Sequence, residues 1–71
     1  MDQIISQVLD AAARDDRAAL VRLLHPYLHW TTGGRTVRGR NNVFRLLAEE
    51  TPVAPADYEL RDGQIYRWTE R

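Results

Sequence analysis

His25 and His29 are the first places where this sequence could hold chemistry, since imidazoles four apart on one helix can share a metal ion. Pro26 stands between them and forbids a helix there. On an extended strand, residues four apart lie roughly 13 Å from each other, too far for one ion. No metal site is therefore expected. His25 is expected to hydrogen-bond at a helix end, and His29 to be a polar strand residue able to touch a ligand. Acid/base chemistry needs a carboxylate or imidazole in a dry setting, with a partner in hydrogen-bond reach. Asp57 or Glu59 with His29 and a tyrosine is the trio that can be assembled, and nothing in its spacing requires it. The expectation is no catalytic residue and no cofactor.

Residues 34–41, Gly-Arg-Thr-Val-Arg-Gly-Arg-Asn, have the glycine spacing of a phosphate-binding loop. Arg40 stands where that loop has Lys, Asn41 where it has Ser or Thr, and Thr36-Val37-Arg38 alternates like a strand, so a turn and a strand are expected instead. The cluster Arg35, Arg38 and Arg40 could set a β-ribbon against nucleic acid, but the chain has a formal net charge of zero. That balance argues against nucleic acid and against an anionic membrane surface. The aromatic residues are the better candidates for binding. Trp30, Phe44, Tyr58 and Tyr66 are expected to line a ligand site with His29 and Arg38 as polar contacts, and Trp68 with Tyr66 to meet a second copy of the chain.

A chain of 71 residues is read as one domain, residues 1–71. A domain of this size buries only about 60% of the surface its unfolded form exposes, so its stability is marginal and association is favoured. Cysteine is absent, which removes disulfides and thiolate chemistry and is compatible with a reducing compartment. Asp2 and Gln3 stand where a secretory signal would carry positive charge, and no apolar run approaches the roughly 20 residues that span a bilayer. Cytoplasmic residence is the expectation. All ten cations are Arg, and ten carboxylates balance them.

These residues must be held by elements whose signatures are readable. Ile4, Ile5, Val8, Leu9, Ala12 and Ala13 mark one face of a first helix; Asp15 or Asp16 can cap a second, with Ala19, Leu20, Leu23 and Leu24 inward. Pro26 ends it. Residues 27–31 alternate with period two, Gly33-Gly34 suits a two-residue hairpin turn, and residues 35–38 return. Counting from that turn sets Trp30 opposite Val37 on one face, and His29 opposite Arg38 with Thr31 and Thr36 on the other. Asn41 or Asn42 can cap a third helix with Val43, Leu46 and Leu47 inward and Phe44 at its edge, stopped at Thr51-Pro52. Around Asp62-Gly63 a last hairpin is expected, with a bulge at Gly63 that gathers Tyr58, Leu60, Tyr66 and Trp68 on one face and Glu59 with Arg67 on the other.

The order helix, helix, hairpin, helix, hairpin, carrying Leu23-Leu24-His25-Pro26, Trp30, Gly39-Arg40 and Asp62-Gly63-Gln64-Ile65, resembles the SnoaL-like branch of the nuclear transport factor 2-like superfamily. The resemblance implies an α+β fold with a curved sheet that cones around a pocket. Members of that family carry a further long strand pair where this chain has only residues 51–57, and their acid/base carboxylates lie largely on those strands. No catalytic assignment therefore carries over. The expected architecture is three helices on one face of a short, curved, mainly antiparallel four-stranded sheet, in the order ααββαββ. The expected function is a homodimeric, non-catalytic domain binding a small apolar or aromatic compound in a remnant cavity or across the dimer. An acid/base enzyme of cyclase or isomerase type, and a protein-interaction module without a small ligand, are the alternatives.

Overall fold

The computed structural model describes residues 2–70. Its elements run α1 (Gln3–Ala13), α2 (Arg17–Leu23), β1 (Leu24–Thr32), β2 (Arg35–Arg38), α3 (Arg40–Glu49), β3 (Asp57–Arg61) and β4 (Gln64–Thr69). The four strands form one sheet in the order β2-β1-β4-β3. The outer pairs are antiparallel and the central pair, β1 with β4, is parallel. This is the expected α+β architecture, with three helices packed on one face of a curved sheet that does not close into a barrel.

Most of the apolar stripes read from the sequence meet in one core; Leu24, expected to close α2, opens β1 instead, and Ala13, expected inward on α1, is exposed while Ala11 is buried. Ile5, Val8 and Ala11 of α1, Leu20 of α2 and Val43, Phe44 and Leu46 of α3 are buried with Leu24, Leu28 and Trp30 of β1 and Ile65 and Trp68 of β4. Leu47, expected inward, is only half-buried against this cluster, and Phe44, expected at the edge, is inside it. At its centre the Trp30 and Trp68 rings stack, with centroids 4.5 Å apart and planes 7° from parallel. Offset stacking of this kind adds about 0.5–1.5 kcal/mol to what area burial contributes.

Local chemistry explains where the helices begin. Asp16 precedes α2, and its Oδ1 accepts the Ala19 N–H at 3.1 Å, satisfying one of the unpaired donors of the first turn. Asp16→Ala is expected to cost about 1 kcal/mol, seen as a fall of roughly 4–8 °C in Tm, while Asp16→Asn leaves Tm nearly unchanged. The third helix begins differently from the expectation. Its N-cap is Gly39, at φ 89° and ψ 141°, and neither Asn41 nor Asn42 caps it. Asn42 lies inside the first turn, and its Nδ2 donates back to the Arg38 carbonyl at 2.9 Å.

Both hairpins turn through two residues with positive φ, Gly33-Gly34 between Thr32 and Arg35, and Asp62-Gly63 between Arg61 and Gln64. These are the values that match hairpin turns to the twist of the strands. The first hairpin has the register counted from sequence, with Trp30 opposite Val37 and His29 opposite Arg38. In the second, Tyr58 faces Trp68 and Glu59 faces Arg67 as expected, but the bulge is elsewhere. Glu59 pairs with Arg67 and Leu60 with Ile65, so the extra residue is Tyr66 rather than Gly63. The reason is packing. Ile65 and Trp68 are three apart and would point to opposite faces of a regular strand; one inserted residue lets both enter the core. Tyr66 is thereby turned away from Tyr58 and Trp68.

Candidate functional site: the open face of the sheet

Because the helices cover one face only, every second strand residue stands on the other. Across β2, β1, β4 and β3, the register aligns Arg38, His29, Arg67 and Glu59 in one row, and Thr36, Thr31, Thr69 and Asp57 in the next. The Thr31 and Thr36 hydroxyls hydrogen-bond at 2.9 Å. Arg67 reaches both carboxylates of β3, Glu59 at 3.4 Å and Asp57 at 3.6 Å. These pairs are half-exposed and contribute little to stability, on the order of 1 kcal/mol or less each. Their effect is to occupy Asp57 and Glu59.

The bulge sets Tyr66 against this face. Its ring meets His25 edge-on at 5.1 Å between centroids and His29 at 5.6 Å, and the Arg61 guanidinium lies over it, 4.1 Å from the centroid. His25 is also 5.9 Å from the ring of Tyr27, which is 74% exposed. Instead of ending α2, His25 belongs to β1, and its Nδ1 accepts the Tyr27 N–H at 3.1 Å. The Arg61 guanidinium covers one face of Tyr66, so a planar ligand gains that π-surface only by displacing it, and the displaced guanidinium is then free to take a negative charge.

The structure divides the residues expected at a ligand site. His29, Arg38 and Tyr66 share the open face. Trp30, Phe44 and Tyr58 lie on the helical side. Trp30 is closed off by its stack with Trp68, Phe44 is buried with the Arg17 guanidinium 4.8 Å from its ring, and Tyr58 Oη donates to the Asp2 carboxylate. That hydrogen bond raises the Tyr58 phenol above its ordinary pKa, with desolvation adding to it. The crevice that touches Trp30, between the end of α3 and Glu70, holds about 20 Å³. That is room for a single water, whereas small-molecule sites enclose about 300–1,000 Å³. A cavity lined by Trp30, Phe44, Tyr58 and Tyr66 together does not form.

Trp68, expected at a dimer contact, is also corrected. It is 0% exposed, and its Nε1 donates to Glu70 at 3.0 Å, so it is sealed within its own protomer. The trio of carboxylate, His29 and tyrosine fails on register. Arg67 stands between His29 and Glu59, placing them two strands, or about 9.6 Å, apart. The three arginines of the basic cluster have separate settings: Arg35 pairs with Glu50 at 2.5 Å, Arg40 donates to the Val21 carbonyl at 3.1 Å, and Arg38 lies on the open face. His25 and Arg61 join this face without having been expected at a ligand site. The odd spacing of Ile65 and Trp68 is the available signal, because it demands a bulge that turns Tyr66 toward them.

Among the described residues no helix is long and apolar enough to cross a membrane. No protein-family model, no curated protein and no solved structure matches this chain.

Proposed function

We propose that this chain is a non-catalytic, homodimeric binding domain that takes a small flat aromatic compound on the open face of its sheet, with an anionic substituent favoured. The observation that carries the reading is the cluster of Tyr66, His25, His29 and Arg61, held by a bulge on a face that no other described element covers. The Arg61 guanidinium is itself a planar group seated over the Tyr66 ring. An aromatic ligand takes its place there, leaving the displaced Arg61 to meet a carboxylate. Dimerisation is supported by small size, zero net charge and the exposed apolar side chains Leu60 and Val53. Kinship with the SnoaL-like domains belongs to the same proposal, supported by the order of elements and by the motif residues, with the binding surface moved from a cone interior to the outer face.

A surface site buries little ligand, so a Kd between roughly micromolar and millimolar is expected. Tyr66→Ala should weaken naphthoate binding about tenfold, the effect of losing one stacked ring, without lowering the cooperativity of unfolding. Calorimetric titration of both proteins with naphthoate measures this. Equal affinity for the two, or no binding to the wild-type chain, overturns the reading.

A further inference from the structure

We propose that two copies of this chain join along the outer edge of β3, antiparallel about Glu59, to make one continuous sheet of two protomers. The inference deepens the dimer named above and rests on it only for the existence of a dimer. It specifies an edge rather than a face: it draws on Arg61 and leaves the rings of Tyr66, His25 and His29 uncovered in both protomers.

The sheet has two edges, β2 and β3, and neither has a neighbouring strand on its outer side among the described residues. Such an edge offers its backbone donors and acceptors to another chain. Edge strands are commonly protected by proline, by bulges of their own or by charged side chains. Strand β3 has no proline and no bulge of its own, and its charges, Asp57, Glu59 and Arg61, are of both signs, so they can pair with those of a second copy. Residues 57–61 are Asp-Tyr-Glu-Leu-Arg, exposed throughout except at Tyr58, and the bulge of this hairpin lies on β4. Leu60 is 42% exposed.

The side chains of β3 complement their own two-fold image. Antiparallel pairing centred on Glu59 sets Asp57 opposite the partner's Arg61 and, by symmetry, Arg61 opposite the partner's Asp57, both on the open face. On the helical face it sets Tyr58 against the partner's Leu60. Each is a favourable cross-strand pair, contributing about 0.2–1 kcal/mol. The two Glu59 carboxylates meet at the axis, and each already has its own Arg67 at 3.4 Å to offset the repulsion. The other edge fails the same test. The only charged residues of β2 are Arg35 and Arg38, so pairing it with its image, about Thr36 or about Val37, brings four guanidiniums to one edge and sets no carboxylate of the strand against any of them. Joining β3 of one copy to β2 of the next is heterologous and builds a ring or a filament, not a two-fold dimer. Only the β3 edge gives a closed dimer with matched charges.

The test is charge reversal read by sedimentation equilibrium. Asp57→Arg alone sets a second guanidinium against the partner's Arg61, and Arg61→Asp alone sets two carboxylates together. Each should raise the dimer dissociation constant at least about tenfold. An equimolar mixture of the two variants restores opposite charges across the axis, so it should form a heterodimer tighter than either variant forms with itself. That recovery cannot come from misfolded chains. Circular dichroism of each variant alone checks that Arg67 and Tyr66, which lose an ion pair and a cation–π contact, hold the fold without them. A wild-type chain that stays monomeric sinks the homodimer itself. A wild-type dimer that tolerates both reversals, or variants that weaken it and do not recombine, overturns the β3 edge while leaving the homodimer standing.

Discussion

Trp68→Ala is expected to lower Tm by roughly 12–40 °C. The substitution removes a fully buried ring that stacks on Trp30, faces Tyr58 across the hairpin and ties Glu70 through its indole N–H. Large-to-small changes of this kind cost about 3–5 kcal/mol, the transfer free energy of the ring plus the cavity left behind. A domain of 71 residues has, at roughly 0.05–0.15 kcal/mol per residue, a total stability of about 4–11 kcal/mol. The loss therefore takes a quarter of the stability at the least, and nearly all of it at the lower end of that range. Thermal melts followed by circular dichroism give the result. Trp68→Phe, which keeps a stacked ring, should lower Tm by less. A Trp68→Ala protein that melts cooperatively within a few degrees of wild type would contradict the description of the core.

Gly39→Ala is expected to cost about 1–3 kcal/mol, although the new methyl group has space. The Cβ would meet only Asn42 Nδ2 at 3.9 Å, an ordinary contact. The penalty is in the backbone. At φ 89° and ψ 141° Gly39 occupies a region that side-chain-bearing residues rarely enter, and it does so to bring the chain from β2 into α3. Its N–H donates to the Leu28 carbonyl and its carbonyl accepts from Val43, so the conformation is fixed from both sides. Gly33, at φ 57°, provides the comparison. Asn tolerates that left-handed value, and Gly33→Asn should cost much less. Tm values for the two variants measure the difference; an unchanged Tm for Gly39→Ala would mean the turn can relax into an ordinary conformation.

Much of the fold is legible in the sequence because it depends on short-range signals. The stripes of α1 and α2, the Gly33-Gly34 turn and the register that sets Trp30 opposite Val37 follow from periodicity and turn chemistry. What is not legible depends on pairings between distant segments. That β1 lies parallel to β4 cannot be counted from any turn, and this pairing is what brings Trp68 onto Trp30 and buries it. Read in isolation, an aromatic residue near the end of a hairpin looks exposed, which is why Trp68 is expected from sequence to meet a partner. The bulge is misplaced because glycine favours the turn, while the packing demand of Ile65 and Trp68 is felt three residues further on. Misplacing it puts Tyr66 on the wrong face. The ligand set drawn from sequence thus mixes residues from both sides of the sheet, of which only His29, Arg38 and Tyr66 share the open one.

The proposed ligand site lies on the open face of the sheet and not in the helical core. Chemical-shift mapping of the isotopically labelled protein during titration with naphthoate tests this most directly. Saturable shifts are expected at His25, His29, Arg38, Arg61 and Tyr66, with Phe44 and the indole signals of Trp30 and Trp68 unmoved. Shifts centred on Trp30, Trp68 and Phe44 would show instead that the helical core opens to admit the ligand, and would contradict that placement.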